Sequence, residues 1–173
     1  DKYQTTDEAN EPFGIGGYLQ VEKLYAYEPY FEGMCEEDKE HILGVQANMW
    51  TEYIADADHL FYMLLPRLAA LSEVQWCKAE RKDWERFYDG AEVCCRIYGT
   101  MGYNFAEHIF HAKGNVQVDT AAKSATVELW AQDDVPVRYT LDGTAPTRFS
   151  RKYEGPLTLT ESFHLRAVAF RDD

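Results

Sequence analysis

Trp50 and Glu52 stand two residues apart in the stretch ANMWTEYI, which follows the apolar run ILGV. In a strand both side chains would point to one face, because strand side chains alternate between faces. An indole offers a flat apolar platform to the C–H groups of a pyranose, and a carboxylate accepts hydrogen bonds from neighbouring hydroxyls. The pair therefore predicts a sugar pocket. A core tryptophan beside a solvated glutamate is the alternative that the spacing alone leaves open.

The element that would position this pair is a strand over residues 42–50, ILGVQANMW. Leu43, Val45, Ala47 and Met49 would form one apolar face, and the run is rich enough in apolar residues to be covered on both sides. Ligands of parallel α/β folds and barrels bind at the carboxyl ends of their strands. The strand thus predicts that Trp50 and the residues after it lie at a pocket mouth.

Residues before and after this strand predict loops and helices. Residues 1–32, rich in Gly, Pro, Glu and Tyr, predict a long ordered loop with short extended pieces, and 36–41 predict a helical turn. Leucines at helical spacing predict a helix over 58–76, which Pro66 should break and restart. A further helix is predicted over 82–99, with Asp83 as N-cap and Gly99 or Gly102 at its end. A strand followed by helices is typical of the tail of an α/β domain.

The pattern changes near residue 115 to short alternating segments, which predict a small all-β domain, a sandwich, over 115–173. The expected strands lie in ATVELWA, VRYTL, LTL and FHLRAVAF, and Asp142-Gly143 is a strong turn signal. A domain of this size is near the lower limit of independent stability, so we expect it to pack against the preceding domain.

Two stretches resemble a known family. GVQANMWTEYI and YMLLPRLAALSEVQW are similar to the last barrel strand and last helix of the glycoside hydrolase family 20 β-N-acetylhexosaminidases. Upstream, IGGYLQVEKLYAYEP extends the resemblance, and VRYTLDGTAPT resembles the β-domain that follows many of these barrels. The helix pattern of the family is matched by five residues of this chain: Pro66, Arg67, Ala70, Glu73 and Trp76.

The resemblance implies a fold and residue roles. Residues 1–114 would be the C-terminal portion of a catalytic (β/α)8 TIM barrel, and 115–173 a small β-sandwich domain. Trp50 would line the pocket for the N-acetylated sugar, and Glu52 would bind hydroxyls on the far side of that sugar. Both are substrate-binding residues in the family. Asp1 looks like the last residue of a Tyr-x-Asp step, whose tyrosine would lie two residues earlier.

The resemblance also implies a reaction. The family removes terminal N-acetylhexosamines by a retaining mechanism in which the substrate's acetamido oxygen attacks the anomeric carbon, assisted by an adjacent Asp-Glu pair. That pair does not occur at a matching place, so we expect no catalytic residue in this chain and no activity of the chain alone. The alternative is a non-catalytic carbohydrate-binding or protein-interaction module.

Charge and composition limit the partners. The formal net charge of −13 argues against nucleic acid and anionic membranes, and no apolar run is long enough to span a bilayer. The expected partners are an N-acetylhexosamine-terminated glycan, and a missing barrel segment or second copy that covers the open barrel edge. No cofactor or metal is expected. The resemblance suggests a secreted, periplasmic or lysosomal-type compartment, which the chain itself does not reveal.

Other polar clusters have simpler interpretations. Asp56, Asp58 and His59 suggest a helix N-terminus rather than a metal site. His108 and His111 lack the carboxylate pattern that would make a zinc site convincing. The paired acidic residues at 36–37, 133–134 and 172–173 predict solvated charge. The four cysteines match no zinc or redox motif; ordinary thiols are favoured over a disulfide between helices.

Overall fold

The computed structural model describes residues 1–3 and 11–171. Within it the chain forms two compact units, Asp1–Ile109 and Phe110–Asp173. The units join a few residues before the division predicted at 114 and 115, which stays a prediction. The acidic pair at 172–173 lies outside the described residues. The mixed α/β composition expected from the sequence is confirmed, with helices in the first unit and two small sheets in the second.

The first unit is helical in its described part. Its α-helices are α1 (Val21–Tyr25), α2 (Glu36–Lys39), α3 (Ala57–Leu64), α4 (Arg67–Trp76) and α5 (Trp84–Thr100). The carboxylates of Asp56 and Asp83 cap α3 and α5, accepting hydrogen bonds from the backbone N–H groups of His59 and Arg86 at 2.8 and 3.1 Å. These contacts satisfy donors that a helix start leaves unpaired, which confirms both predicted N-termini.

Pro66 separates α3 from α4, as its chemistry predicts. The peptide bond between Leu65 and Pro66 is cis, α3 ends at Leu64 and α4 begins at Arg67. Proline cannot donate the backbone hydrogen bond that a continuous helix needs at this point. The helical turn predicted over 36–41 is confirmed by α2. Of the long loop predicted over 1–32, residues 4–10 lie outside the described residues, and the described part contains α1.

The strand predicted over residues 42–50 is wrong for this structure. The segment forms no strand, and Leu43, which should have packed against a helix, is 99% exposed. A strand needs a neighbour to bond its N–H and C=O groups, and among the described residues none pairs with this segment. An apolar run alone therefore did not produce a strand.

The core of the first unit lies where α1 meets α4 and where aromatic rings from α1 and α5 pack together. The rings of Tyr25 and Phe87 are 4.6 Å apart, and Trp84 meets Tyr25 edge-on at 5.4 Å. Arg86 links α5 to α4 through Glu73, with a guanidinium-to-carboxylate distance of 2.7 Å. These contacts make α4 the central element of the unit, packed against α1 and ion-paired to α5.

The second unit contains two antiparallel three-stranded sheets. Its strands are β1 (Lys113–Asp119), β2 (Ser124–Trp130), β3 (Val137–Thr140), β4 (Arg151–Lys152), β5 (Leu157–Leu159) and β6 (Arg166–Ala169). The strand orders are β1-β2-β5 and β4-β3-β6. Four of these strands confirm the sequence prediction, and β1 and β4 were not predicted. β1 is the edge of the first sheet and pairs along its whole length with β2.

One apolar cluster joins the two sheets. Val127 and Leu129 of β2 are buried together with Val137 and Tyr139 of β3.

At the end of β3, Gly143 has a φ of 80°, and the Asp142 carboxylate accepts a hydrogen bond from the Thr144 N–H at 3.0 Å. The chain bends there, as the Asp-Gly pair predicts. No helix in the described part of the chain is long and apolar enough to cross a bilayer.

Candidate functional site

Trp50 and Glu52 lie on an exposed segment that precedes α3. Trp50 is 74% exposed, and the Glu52 side chain is also open to solvent. Immediately after Trp50 the chain turns, and the Ile54 N–H donates to the Thr51 carbonyl at 3.1 Å. An accessible indole and an accessible carboxylate two residues apart offer the stacking and hydrogen-bonding groups that a pyranose needs. The roles assigned to the two residues stay predictions.

Three contacts fix the segment that carries this pair. The side-chain amide of Gln75 in α4 donates to the Val45 carbonyl at 2.8 Å, and the Asp56 cap holds the other end on α3. Tyr53 packs edge-to-face with Phe13, with ring centroids 5.1 Å apart. The segment is irregular, but side-chain contacts tie it to both helices and to the loop before α1.

Arg67, the second residue of the Pro-Arg motif, is buried and ties α4 to the start of the chain. Its guanidinium lies 3.6 Å from the centre of the Tyr3 ring. It donates to the Leu19 carbonyl at 2.6 and 3.2 Å and to the Met63 carbonyl at 3.3 Å. Burial lowers the pKa of Arg67, since it removes the charge from water. Arg67 therefore anchors α4 to Tyr3 and Leu19.

A buried polar cluster lies beside Arg67 and was missed in the sequence. Glu11 accepts a hydrogen bond from the Tyr3 N–H at 2.8 Å and one from the Tyr62 hydroxyl at 3.2 Å. The Tyr62 oxygen is 2.8 Å from His108 Nε2, which lies 3.4 Å from the Glu11 carboxylate. Each partner comes from a different part of the chain, so no local spacing could have revealed the cluster.

The chemistry of this cluster is structural. Burial is the main cause that raises the pKa of both Tyr3 and Tyr62, so their phenols stay protonated and donate hydrogen bonds. The Tyr3 hydroxyl lies 3.1 Å from the Leu65 carbonyl, where it satisfies a backbone acceptor just before Pro66. The adjoining cavity holds about 10 Å³, too little for a sugar. The cluster therefore fixes the start of the chain against α3.

Asp1, which the family motif also singles out, is exposed and lies next to Gly17. The Lys2 N–H donates to the Gly17 carbonyl at 3.1 Å, and the Leu19 N–H donates to the Lys2 carbonyl at 3.0 Å. A Cβ atom at position 17 would collide with the Asp1 carboxylate, and the φ of Gly17 is 141°. Only glycine lets the two segments approach this closely. Its position places Asp1 in the same unit as Trp50 and Glu52.

The remaining polar candidates have structural roles. Asp56 and His59 meet at the start of α3, as the helix interpretation predicts. Among the residues that the structure describes, no group of three or more metal-ligand side chains is close enough to hold an ion. Asp133 lies 3.6 Å from the guanidinium of Arg171, and Asp133 and Asp134 are exposed.

Comparison with known protein families agrees with these motifs. Residues 1–79, which include Asp1, Trp50, Glu52 and Arg67, match the family described as glycosyl hydrolase family 20, catalytic domain. Residues 116–173 match the family described as chitobiase/beta-hexosaminidase C-terminal domain. The first match covers the segment that carries Trp50 and Glu52, and the second covers nearly all of both sheets.

Individual relatives point the same way. A Beta-hexosaminidase of Porphyromonas gingivalis is 32% identical over 164 residues, which cover 94% of this chain and 21% of the relative. A Beta-N-acetylhexosaminidase of Cellulomonas fimi is 36% identical over 106 residues, 60% of this chain and 20% of the relative. The human Beta-hexosaminidase subunit beta is 34% identical over 67 residues, 39% of this chain and 12% of the relative. The chain thus spans about a fifth or less of these relatives' length. By its family match and these relatives, it belongs to glycoside hydrolase family 20.

Proposed function

We propose that this chain forms one wall of the sugar pocket of a β-N-acetylhexosaminidase, which removes terminal N-acetylhexosamines from glycans. The observation that carries the proposal is the exposed Trp50–Glu52 pair within residues that match the catalytic domain of the family. The names of the relatives support the reaction class. The chain would bind and orient the sugar rather than cleave it.

Each residue of the pair has a distinct role in this proposal. The Trp50 indole stacks on the apolar face of the N-acetylated sugar, and the Glu52 carboxylate accepts hydrogen bonds from hydroxyls on its far side. The substrate's acetamido oxygen attacks the anomeric carbon, and an Asp-Glu pair from another part of the protein orients that group and protonates the leaving oxygen. The stereochemistry at the anomeric carbon is retained.

The proposal includes the fold around the pocket. Residues 42–50 become the last strand of a (β/α)8 barrel when barrel strands from elsewhere in the protein pair with them, and the two sheets of the second unit form a sandwich. Two observations support the barrel strand: residues 42–50 are mostly apolar, and the Leu43 side chain is almost fully exposed. Burying such residues against a completed barrel is favourable, by about 25 cal/mol per Å² of apolar surface.

The test is the substitution of Glu52 in the complete protein that contains this chain. Glu52→Ala removes one or two charge-assisted hydrogen bonds, each worth about 1.5–3 kcal/mol. We expect kcat/KM for an N-acetylhexosaminide to fall by about tenfold or more for each lost bond. Trp50→Ala should lower it as well. Glu80→Ala, an exposed carboxylate after α4, is the matched control and should leave kcat/KM unchanged.

Two outcomes would contradict the proposal. An unchanged kcat/KM in Glu52→Ala would exclude the carboxylate from the pocket. A complete protein that binds N-acetylhexosamine glycans and never hydrolyses them would instead be the non-catalytic carbohydrate-binding module.

A further inference from the structure

The edge strand β1 is exposed from Gly114 to Asp119, and this exposed part carries two valines. All of its residues after Lys113 are exposed, and β2 is the only strand that pairs with it among the described residues. Val116 and Val118 lie opposite Val127 and Ala125 of β2 and share their inward face, yet they are 57% and 70% exposed. Exposed β-branched residues on an unpaired edge form a template for another strand.

The sequence of β1 is complementary to itself. In an antiparallel pair of two copies centred on Val116, Lys113 of one copy lies opposite Asp119 of the other, and Asn115 lies opposite Gln117. The ammonium and carboxylate form an ion pair at each end, and two amides meet between them. On the inward face Val116 meets its own copy, and Gly114 leaves room for Val118. Opposite-charge and β-branched pairs are those that stabilise antiparallel strands.

This register is the one that uses the whole strand. Antiparallel partners share a face of the sheet, so valines of two copies meet only when the pair is centred on a residue. Centring on Asn115 would place Gln117 opposite Lys113, and centring on Gln117 would place Asn115 opposite Asp119, so neither register forms the ion pairs. The symmetric pairing about Val116 satisfies both ion pairs and both amide pairs at once.

We propose that β1 pairs with β1 of a second copy of this chain. The β1-β2-β5 sheets of the two copies then form one continuous six-stranded sheet. The interface is isologous, because the same strand contributes from both copies. Burial lowers the pKa of Lys113, because the ammonium is partly removed from water. The Asp119 carboxylate of the second copy would therefore face a partly desolvated charge. The proposal is independent of the proposed hydrolase activity.

The experiment is sedimentation equilibrium of the intact protein at 0.15 M salt, over about 1–100 μM, a range that suits a small interface. We expect a monomer–dimer equilibrium in the wild-type protein. Val116→Lys places two ammonium groups opposite each other at the symmetry axis and should raise the dimer dissociation constant by about tenfold or more. Val168→Lys is the matched control, because Val168 is a half-exposed valine on β6, and it should leave that constant unchanged.

A second variant keeps the test independent of folding defects. The Asp119 side-chain oxygen accepts hydrogen bonds from the N–H groups of Ala121 and Ala122, both at 2.9 Å. Asp119→Asn keeps an oxygen acceptor for this turn and removes the charge, so it should also weaken the dimer. A wild-type monomer at every concentration would overturn the proposal. So would equal weakening by Val168→Lys, or a dimer that neither β1 variant weakens.

Discussion

The Arg67 guanidinium stacks on the Tyr3 ring at 3.6 Å, and the Tyr3 N–H donates to the Glu11 carboxylate at 2.8 Å. Tyr3 thus connects the cation of the Pro-Arg motif to the buried carboxylate of Glu11, which lies in the loop over residues 11–20 before α1. Arg67 also donates to the Leu19 carbonyl, so one side chain of α4 contacts both Tyr3 and Leu19. The loop contains Phe13, which packs on Tyr53 beside Glu52.

Replacement of Arg67 by lysine should destabilise the first unit. An ammonium cannot stack on Tyr3 and bond Leu19 in the same planar geometry, so we expect a loss of about 1–3 kcal/mol in the free energy of unfolding. Urea unfolding of Arg67→Lys measures this loss. The control is Arg96→Lys on the exposed face of α5, which should change the free energy by less than about 0.5 kcal/mol. Equal effects of both variants would contradict the anchoring role.

Replacement of Gly114 by alanine should weaken the pairing of β1 with β2. A Cβ atom at position 114 would lie 2.9 Å from the Leu129 side chain and 3.2 Å from the Glu128 carbonyl oxygen. The backbone oxygen cannot move away, so overpacking should cost about 1–3 kcal/mol. Hydrogen exchange at the β2 amides measures it. Gly155→Ala, where the added Cβ has no neighbour within 4 Å, should leave the exchange rates as they are.

The stability of the first unit should fall in alkaline solution. Burial raises the pKa of the Cys95 thiol from 9.0 to about 12, and it raises the pKa of Tyr98 from 10.0 to about 12. The folded state keeps both protons over a pH range in which the unfolded state loses them. The stabilisation is therefore complete below about pH 9 and is lost as the pH rises to about 12.

Urea unfolding at several pH values from 8 to about 11 measures this fall. Cys95→Ala removes one of the two groups, so its free energy of unfolding should decline less steeply with pH than that of the wild type. Cys35→Ala changes an exposed thiol and should leave the wild-type slope. A slope that Cys95→Ala does not alter would contradict the assignment to Cys95.

Local signals in the sequence predicted the elements whose causes are local. Asp56, Pro66 and Asp83 mark helix boundaries through their own backbone and carboxylate chemistry, and the structure has helices at those boundaries. The alternating residues of β2 and β3 likewise predicted strands with one buried face. β1 was missed because glycine and asparagine precede its first valine and glutamine separates its two valines, which weakens its strand signal.

Features that depend on distant partners could not be predicted from spacing. Glu11 and His108 lie 51 and 46 residues from Tyr62 in the sequence, on opposite sides of it, and neither their types nor their neighbours indicate a cluster. The strand predicted over residues 42–50 is absent for a related reason, because a strand needs a second segment to bond its backbone N–H and C=O groups. The sequence predicts a sugar-binding pair in Trp50 and Glu52, which stays a prediction, and a pocket around them would need other strands.

The exposure of the tryptophans gives the chain a spectroscopic signature. Of its four tryptophans, Trp50, Trp76 and Trp130 are exposed, and Trp76, at the end of α4, is 91% exposed. Indoles in water emit at longer wavelengths than indoles in an apolar environment. The chain in this conformation should emit near the wavelength of free tryptophan, whereas closure of the proposed barrel over α4 and the segment before α3 would shift that emission to the blue.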